Sequence, residues 1–286
     1  MNTKILSQTG RHTFLIAGKH GSLVDTIMLA QANESTGTIS LVSIPRDLFF
    51  NGRKINSFYM HYGLKEFVRK LEELTGLKIE AYALVDMYAF IDLVDQLGGI
   101  DIHLDQAVID PTYKTVDDGV EGTMYFAEGD HHLNGVQALR LARSRHTSSD
   151  FARSARQQKI IRSLQNRIKE VGVSNPSLLA NLIKIALSKL ETNVSLQDAL
   201  SYYLKYKDFG IAEKAVLSTA NILEYNYQVV GIDEEIFDKE CQTKIAQLRE
   251  AGVYQAGSKL PTACSYVLLP KDNDWDAFRS YLRGRF

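Results

Sequence analysis

A cluster of arginines in the middle of the chain is the strongest chemical signal in the sequence. Five arginines fall within seventeen residues and a single acid, Asp150, interrupts them: Arg140, Arg143, Arg145, Arg153 and Arg156. The whole chain has a formal charge of only −1, so this positive charge is local. Guanidinium groups donate paired hydrogen bonds that match phosphate oxygens. The cluster predicts a phosphate or pyrophosphate site, although any one of these arginines could equally be solvated or paired with a surface acid.

Two predicted helices and the turn between them position these arginines. A helix from about Gly135 places the first two arginines three residues apart, near one face. The polar residues that follow have the composition of a turn, and Asp150 is a suitable N-cap for a second helix. In that helix Arg153 and Gln157 lie four residues apart and share a face. Backbone N–H groups at the helix N-terminus favour the same anionic ligand.

The bulk composition is that of an ordinary globular protein. The chain has 286 residues, of which 45% are hydrophobic and 23% charged. No run approaches the roughly 18 apolar residues of a membrane span, and no signal-peptide pattern opens the chain. We expect either a cytosolic protein or an extracytoplasmic one whose anchor is absent from this sequence. A pI near 6.7 and the lack of a basic aromatic stripe argue against nucleic acid.

The cysteines give a weaker signal. Cys241 and Cys264 lack nearby histidines and make a poor metal site. They form one disulfide in an oxidising compartment or remain separate thiols, and the sequence leaves both open.

Charged residues also follow the predicted N-terminal strands. Apolar runs at 12–18, 25–30 and 38–44 predict three strands, the last two as a hairpin, with Asp25 at the mouth of the second. The third strand leads into Pro45, Arg46 and Asp47. Ligands bind beyond strand ends in open α/β sheets, so this pair is a candidate site; the alternative is a loop salt bridge. Lys54 adds a cation nearby.

The remaining periodicity predicts a single α/β domain over residues 1–286. Residues 105–134 have little periodicity and many turn residues, which indicates a loop over the sheet with a short hairpin near 123–126. Loops of this length often act as lids. The helices are expected to pack on the sheet as a layer, or to leave an apolar groove for a lipid chain. The other predicted elements are helices 57–76, 88–97, 157–171, 176–190, 195–206 and 272–282, and strands 82–85, 100–104, 227–231 and 265–269.

At this point the sequence resembles the LytR–CpsA–Psr family of bacterial cell-wall glycopolymer ligases. The resemblance covers about residues 12–170, with a looser match beyond 175 apart from the strand end Leu268–Pro270. The motifs that carry it, in order and spacing, are Asp25–Leu29, Ser43–Asp47, Lys54–Asn56, Leu97–Asp101, Leu133–Leu139, Ala142–His146, Ser149–Arg153 and Arg156–Gln158.

The resemblance implies both a fold and an activity. It implies a three-layer α-β-α sandwich with a central mixed β-sheet and an apolar groove for a polyprenyl tail. The expected activity is that of a phosphotransferase that attaches a polyprenyl-pyrophosphate-linked glycopolymer, of teichoic-acid or capsule type, to a peptidoglycan hydroxyl. Mg²⁺ is the expected cofactor. The expected location is the extracytoplasmic membrane surface, because the family is typically anchored by an N-terminal helix.

The resemblance also implies roles for individual residues. Asp25 is expected to bind the metal. Asp47 and Asp150, together with Arg46, form the expected catalytic group, in which the two acids either position a guanidinium or accept the proton of the acceptor hydroxyl. The side chains expected to hold the pyrophosphate are Arg46, Arg143, Arg145, Arg153, Gln157 and Lys54. Lys19 is a further candidate, at a position where this chain differs from the family.

Two positions depart from the family pattern. Lys19 stands where the family usually carries an acid, and Leu23 where it usually carries an arginine. A lone carboxylate is a weaker Mg²⁺ site. We therefore hypothesise that the Lys19 ammonium supplies part of the metal's charge; the alternative is a degenerate site. Two other functions stay open: a binding protein that holds the lipid without turnover, and a pyrophosphate hydrolase.

Overall fold

A computed structural model describes residues 10–117, 119–144, 150–229, 243 and 264–286, without the side chains of 117, 150, 213, 227–229 and 264–265. Within these ranges the strands are β1 (Arg11–His20), β2 (Leu23–Asn33), β3 (Thr38–Ser43), β4 (Phe49–Phe50), β5 (Arg53–Lys54), β6 (Ile79–Asp86), β7 (Ile100–Leu104), β8 (Val108–Asp110), β9 (Val116–Asp117), β10 (Val120–Glu121), β11 (Met124–Phe126), β12 (Gly129–Leu133), β13 (Glu191–Thr192), β14 (Gly210–Val216), β15 (Leu223–Val229) and β16 (Cys264–Pro270).

The α-helices of the same ranges match the predicted helices within a few residues. They are α1 (Phe58–Thr75), α2 (Met87–Gln96), α3 (Gly135–Arg143), α4 (Asp150–Ser174), α5 (Pro176–Lys189), α6 (Leu196–Tyr206) and α7 (Trp275–Arg283). Local capping explains this agreement. Asn134 caps α3, and Ser195 caps α6, each within a reciprocal capping box. None of the helices in these ranges is both long enough and apolar enough to cross a membrane.

A mixed sheet lies at the centre of the described structure, in the order β13-β6-β1-β2-β3-β14. β1 and β6 are parallel, and so are β3 and β14. β2 runs antiparallel to both of its neighbours, which confirms the predicted hairpin between β2 and β3. β1, β3, β6 and β14 therefore all end at the same edge of the sheet, which we call the carboxyl edge.

Alternate residues of β1 face two different helical layers. Leu15 and Ala17 belong to the larger core, which α1 and α7 cover with side chains such as Phe67 and Phe278. Phe14 and Ile16 face the other way, toward α4 and α6. Because successive side chains of a strand point to opposite faces, both faces of β1 are apolar, and helices cover each of them. This confirms the expected α-β-α arrangement around a mixed sheet.

The segment 105–134 is more ordered than a loop over the sheet, and this part of the sequence prediction was wrong. It carries five short strands, and β11 pairs with β8 at the predicted hairpin position. Met124 and Phe126 are fully buried in a second core with Ile102, Leu141 and Ile160. Their contacts come from distant segments, so the local sequence shows no period that would indicate them.

In the C-terminal third, three strands differ from the sequence prediction: one begins earlier and two were not predicted. β15 begins at Leu223, four residues before the predicted strand. β14 was missed because Glu213 and Lys214 interrupt its apolar pattern; its pairing with β3 makes it a strand. β13 has two residues and is too short to predict. Cys241 lies outside the described residues, as does the side chain of Cys264, so both alternatives, a disulfide and two separate thiols, stay open.

Replacing Phe126 with alanine tests whether the 105–134 segment is part of the folded core. Because the ring is fully buried, we expect Phe126→Ala to lower the free energy of unfolding by about 3–5 kcal/mol. Tyr125→Ala, at the neighbouring half-buried position, should cost about 1 kcal/mol or less. Urea unfolding of both variants measures the difference. Equal, small losses would show that the segment is not part of the core.

Candidate functional site

A cavity of about 300 Å³ opens at the carboxyl edge, between the sheet and the helices α2, α3 and α4. This volume is at the lower end of the range for small-molecule sites. Its polar lining includes residues that the sequence singled out: Lys19, Asp25, Arg46, Arg143, Arg153 and Gln157. Its apolar lining includes Ile16, Met28, Phe90, Leu139, Ile160 and Ile161.

The polar and apolar linings are separated along the strands. Lys19 and Asp25 lie near the turn that joins β1 to β2, whereas Ile16 and Met28 pair with each other further into the sheet. Along α4, the polar Arg153 comes first and the apolar Ile161 lies about two turns later. The cavity therefore has a charged mouth and an apolar interior.

Asp25 connects three elements at this mouth. Its Oδ1 accepts a hydrogen bond from Arg46 Nη1 at 2.6 Å, which joins β2 to the segment after β3. Its backbone carbonyl accepts from Arg153 Nη2 at 3.4 Å, which joins β2 to α4. Arg153 is only 6% exposed, so its charge is held among protein groups at the mouth. Two guanidiniums thus converge on one residue.

Asp47 and Lys54 lie beside this group and are not part of the cavity wall. Asp47 Oδ1 accepts from Lys54 Nζ at 2.9 Å, and its Oδ2 lies 3.6 Å from Arg46 Nε. The Lys54 ammonium also lies 5.5 Å from the ring centre of Tyr266. Arg46 and Asp47 therefore form the loop salt bridge that was the alternative interpretation, while Arg46 also reaches the cavity.

The arginine cluster divides into two groups. Arg143 is exposed and Arg153 is buried, and both line the cavity. Arg156 instead donates to the backbone carbonyls of Leu141 and Ser144 at the end of α3, and burial lowers its pKa. Arg156 thus holds α3 against α4. Arg145 lies outside the described residues, as does the side chain of Asp150, so their predicted roles have no geometry here.

Close packing fixes the helices that carry these side chains. Gln157 Nε2 donates to the carbonyl of Ala142 at 3.0 Å, which links α4 to α3. The backbone N–H of Gly135 donates to Asp95 at 2.7 Å, which links α3 to α2. A Cβ at Gly135 would lie 2.3 Å from the carbonyl oxygen of Ile91, so only glycine permits this approach.

Tyr113 lines the cavity, a role that no sequence pattern indicated. Burial raises the pKa of its hydroxyl, and the nearby Arg143 charge opposes that shift. Asp110, three residues earlier, is buried and accepts from Ser144 Oγ at 3.0 Å, which ties this segment to the end of α3. Tyr113 follows a short strand within the turn-rich segment, where the apolar residues show no helix or strand periodicity that would indicate a buried position. Phe90 was missed because it resembles any apolar residue of α2.

Lys19 has partners that the sequence did not suggest. It forms an ion pair with Glu191 of β13 and donates to the Tyr59 hydroxyl at 3.1 Å. Tyr59 in turn donates to Glu191 at 2.9 Å. Burial lowers the pKa of Lys19, but these hydrogen bonds and charges outweigh it and the net pKa is raised. Lys19 is therefore a fixed cation in the cavity wall, unlike a lysine extended into solvent.

The expected magnesium ligand at the mouth already has a protein partner. Asp25 is the expected ligand, and its carboxylate is paired with Arg46. Across the described ranges, no group of three or more histidine, cysteine, aspartate or glutamate side chains is placed to hold a metal ion. Mg²⁺ is usually bound by one or two carboxylates together with substrate phosphates and water. Its role in this chain stays a prediction.

Comparison with known proteins identifies the family. The model of the LytR_cpsA_psr family matches residues 5–246, so the chain belongs to this family.

One curated relative and two solved structures illustrate the likeness. A Bacillus subtilis protein named polyisoprenyl-teichoic acid–peptidoglycan teichoic acid transferase TagV is 30% identical over 200 residues, covering 65% of this chain and 48% of TagV. The crystal structure of B. subtilis TagV superposes with a TM-score of 0.67 at 23% identity, over 98% of each chain. A structure of TagT bound to LIIa-WTA superposes with a TM-score of 0.64 at 19% sequence identity, over 97% of this chain and 91% of that one. The chain spans about half the length of the first curated relatives. The match covers 48% of TagV and 58% of B. subtilis TagU, which carries the same transferase name.

Replacing Arg156 tests whether it holds α3 against α4. Because Arg156→Met leaves two carbonyls at the end of α3 without this donor, we expect a loss of about 1–3 kcal/mol in the free energy of unfolding. Arg162→Met, on an exposed face of the same helix, should stay within about 0.5 kcal/mol of the parent. Urea unfolding provides the comparison. An Arg156→Met variant as stable as the control would contradict this structural role, and Arg156 would again be a candidate for ligand binding.

Proposed function

We propose that this chain is a phosphotransferase that attaches a polyprenyl-pyrophosphate-linked glycopolymer, of teichoic-acid or capsule type, to peptidoglycan. The cavity supports this proposal, because its mouth is cationic and its interior apolar. A polyprenyl pyrophosphate has the same two parts in the same order. The names of the relatives agree: TagV is called a polyisoprenyl-teichoic acid–peptidoglycan teichoic acid transferase, and TagT has a structure with LIIa-WTA bound.

The proposed reaction is a phosphoryl transfer. A hydroxyl oxygen of peptidoglycan attacks the phosphorus that carries the glycan, and the bond from that phosphorus to the bridging pyrophosphate oxygen breaks. Polyprenyl phosphate leaves, and the hydroxyl proton passes to a base. Such a transfer depends on neutralising the non-bridging oxygens.

The charged mouth supplies the groups for this reaction. We propose that Arg46, Arg143 and Arg153 bind the pyrophosphate and that Gln157 orients it. Arg145, Lys54 and Lys19 add positive charge. Asp47 already accepts from Lys54 and lies beside Arg46, which favours a positioning role for it. Asp150 is the remaining candidate for the proton acceptor.

The proposed location follows from the proposed substrates. Peptidoglycan and polyprenyl-linked polymers meet at the extracytoplasmic face of the membrane. We therefore propose that the chain works at that surface, beside a lipid bilayer and peptidoglycan, as a membrane-anchored protein.

Transfer activity tests the proposal directly. The assay supplies a polyprenyl-pyrophosphate glycan and a peptidoglycan oligomer, and mass spectrometry identifies the products. We expect Arg143→Gln to lower kcat by about 10²–10³, because an exposed guanidinium at the pyrophosphate is lost while the fold is kept. Arg162→Gln is the matched control and should keep parental activity.

The products also separate the two other functions. Free phospho-glycan without a peptidoglycan adduct would indicate a hydrolase. Intact substrate that co-purifies with the protein but never turns over would indicate a lipid-binding protein. Equal activity in Arg143→Gln and Arg162→Gln would contradict the assignment of the mouth as the pyrophosphate site.

The role of Mg²⁺ has a separate test. We propose that Lys19 supplies charge that the family pattern assigns to a metal, so transfer should persist in a chelator such as EDTA. Glu191→Gln removes the counter-charge of Lys19, and we expect it to lower the Kd for inorganic pyrophosphate by about tenfold. Lys19→Gln should raise that Kd. Activity that is abolished by EDTA and restored by Mg²⁺ would overturn this proposal and establish magnesium as the cofactor.

A further inference from the structure

Four exposed apolar side chains lie near the carboxyl edge, where the cavity opens. Leu23, Met60, Tyr62 and Tyr88 are 36%, 49%, 42% and 76% exposed, and we call them the rim. Single exposed apolar residues are ordinary on protein surfaces. The rim residues differ because they come from three separate segments that meet at one opening.

Contacts and chain positions place Leu23, Met60 and Tyr88 beside this opening, and Tyr62 follows Met60 two residues later in α1. Leu23 pairs with His20, which lines the cavity at the turn between β1 and β2. Ser22, in the same turn, lies 3.4 Å from the Met60 sulfur. Tyr88 is in the first turn of α2, directly after the cavity residues Asp86 and Met87. The β6 strand that leads into this turn runs beside Lys19.

The N-terminal part of α1 contributes two exposed rim residues, Met60 and Tyr62, next to a buried one. Its Phe58 is fully buried and anchors the turn, and the Tyr62 ring packs 5.8 Å from the Phe58 ring. Gly63 then has φ +74°, which interrupts the helix before it continues into the core. Met60 and Tyr62 are therefore exposed side chains next to a buried anchor.

Cationic side chains accompany the apolar ones. Arg53 lies 3.0 Å from His61, which is exposed between Met60 and Tyr62. Lys65 is exposed on the next turn. Apolar and tyrosine side chains mixed with basic ones are the composition of a surface that rests in the headgroup region of an anionic bilayer.

We propose that the rim docks onto the surface of an anionic lipid bilayer, with the mouth of the cavity facing the lipids. Leu23, Met60, Tyr62 and Tyr88 enter the headgroup boundary, while Arg53 and Lys65 contact lipid phosphates. This inference rests on the proposed function, since a substrate with a polyprenyl tail must pass from a bilayer into the cavity. An opening with an apolar border lets the tail cross without meeting water.

Flotation with lipid vesicles tests the docking surface. The full chain is mixed with vesicles of phosphatidylcholine and phosphatidylglycerol, or of phosphatidylcholine alone. We expect the chain to float with the mixed vesicles and to float less as salt is added. The double variant Met60→Gln/Tyr88→Ser should reduce the partition coefficient by about tenfold, because it removes two inserted side chains.

Matched controls come from apolar side chains that are equally exposed elsewhere. Val173 and Leu204 are 71% and 67% exposed on α4 and α6. Val173→Gln/Leu204→Ser should bind the mixed vesicles like the parent. Arg53→Gln/Lys65→Gln should remove the preference for the anionic vesicles. A parent that floats with neither vesicle, or two apolar variants that lose binding equally, would overturn the proposal.

A soluble assay separates this inference from the proposed function. With a short-chain, water-soluble prenyl-pyrophosphate glycan and no vesicles, Met60→Gln/Tyr88→Ser should turn over like the parent. Loss of that turnover would place the rim in the active site and overturn the docking role. Rim-dependent flotation of a parent that shows no turnover would retain the docking surface and reject the transferase.

Discussion

The contact of two guanidiniums with Asp25 is the interaction on which the mouth of the cavity depends. Arg46 reaches the carboxylate from the segment after β3, and Arg153 reaches the backbone carbonyl from α4. The sheet, the strand-end loop and the helical layer therefore meet at one residue. A buried guanidinium is costly unless protein groups surround it, so this arrangement keeps positive charge concentrated where water is scarce. An anionic ligand at the mouth would meet charge that is already in place.

The same arginine-rich segment contributes to both architecture and recognition. Arg156 and Gln157 use backbone carbonyls of α3 as acceptors, which fixes α3 against α4. Arg143 and Arg153, on the same two helices, line the cavity. The positions of the cavity-lining guanidiniums thus follow from bonds made by their neighbours. An orientation fixed before binding reduces the entropy lost when a ligand binds.

Lys19 gives this chain a different electrostatic arrangement from the one that the family pattern suggests. A lysine at the end of β1 needs a counter-charge in a partly buried wall, and Glu191 provides it from the short edge strand β13. Tyr59 bonds to both. The wall beside Asp25 is therefore an ion-paired network, whereas the family pattern would place a second carboxylate there. The exposed rim residues lie near this network, so an apolar border, a charged mouth and an apolar interior follow one another.

The sequence by itself determined the elements that have local signals. The apolar run of β1 and Ser195 at the start of α6 each predict structure from a few adjacent residues. The motif residues also predicted five of the side chains that line the cavity: Asp25, Arg46, Arg143, Arg153 and Gln157. Lys19, which also lines it, was singled out as a departure from the motif. Only the tertiary structure decided that Arg156 donates to backbone carbonyls at the end of α3, that Tyr113 lines the cavity and that Glu191 pairs with Lys19. These facts depend on contacts between residues far apart in the chain, and a carboxylate 172 positions from its lysine leaves no local pattern to find.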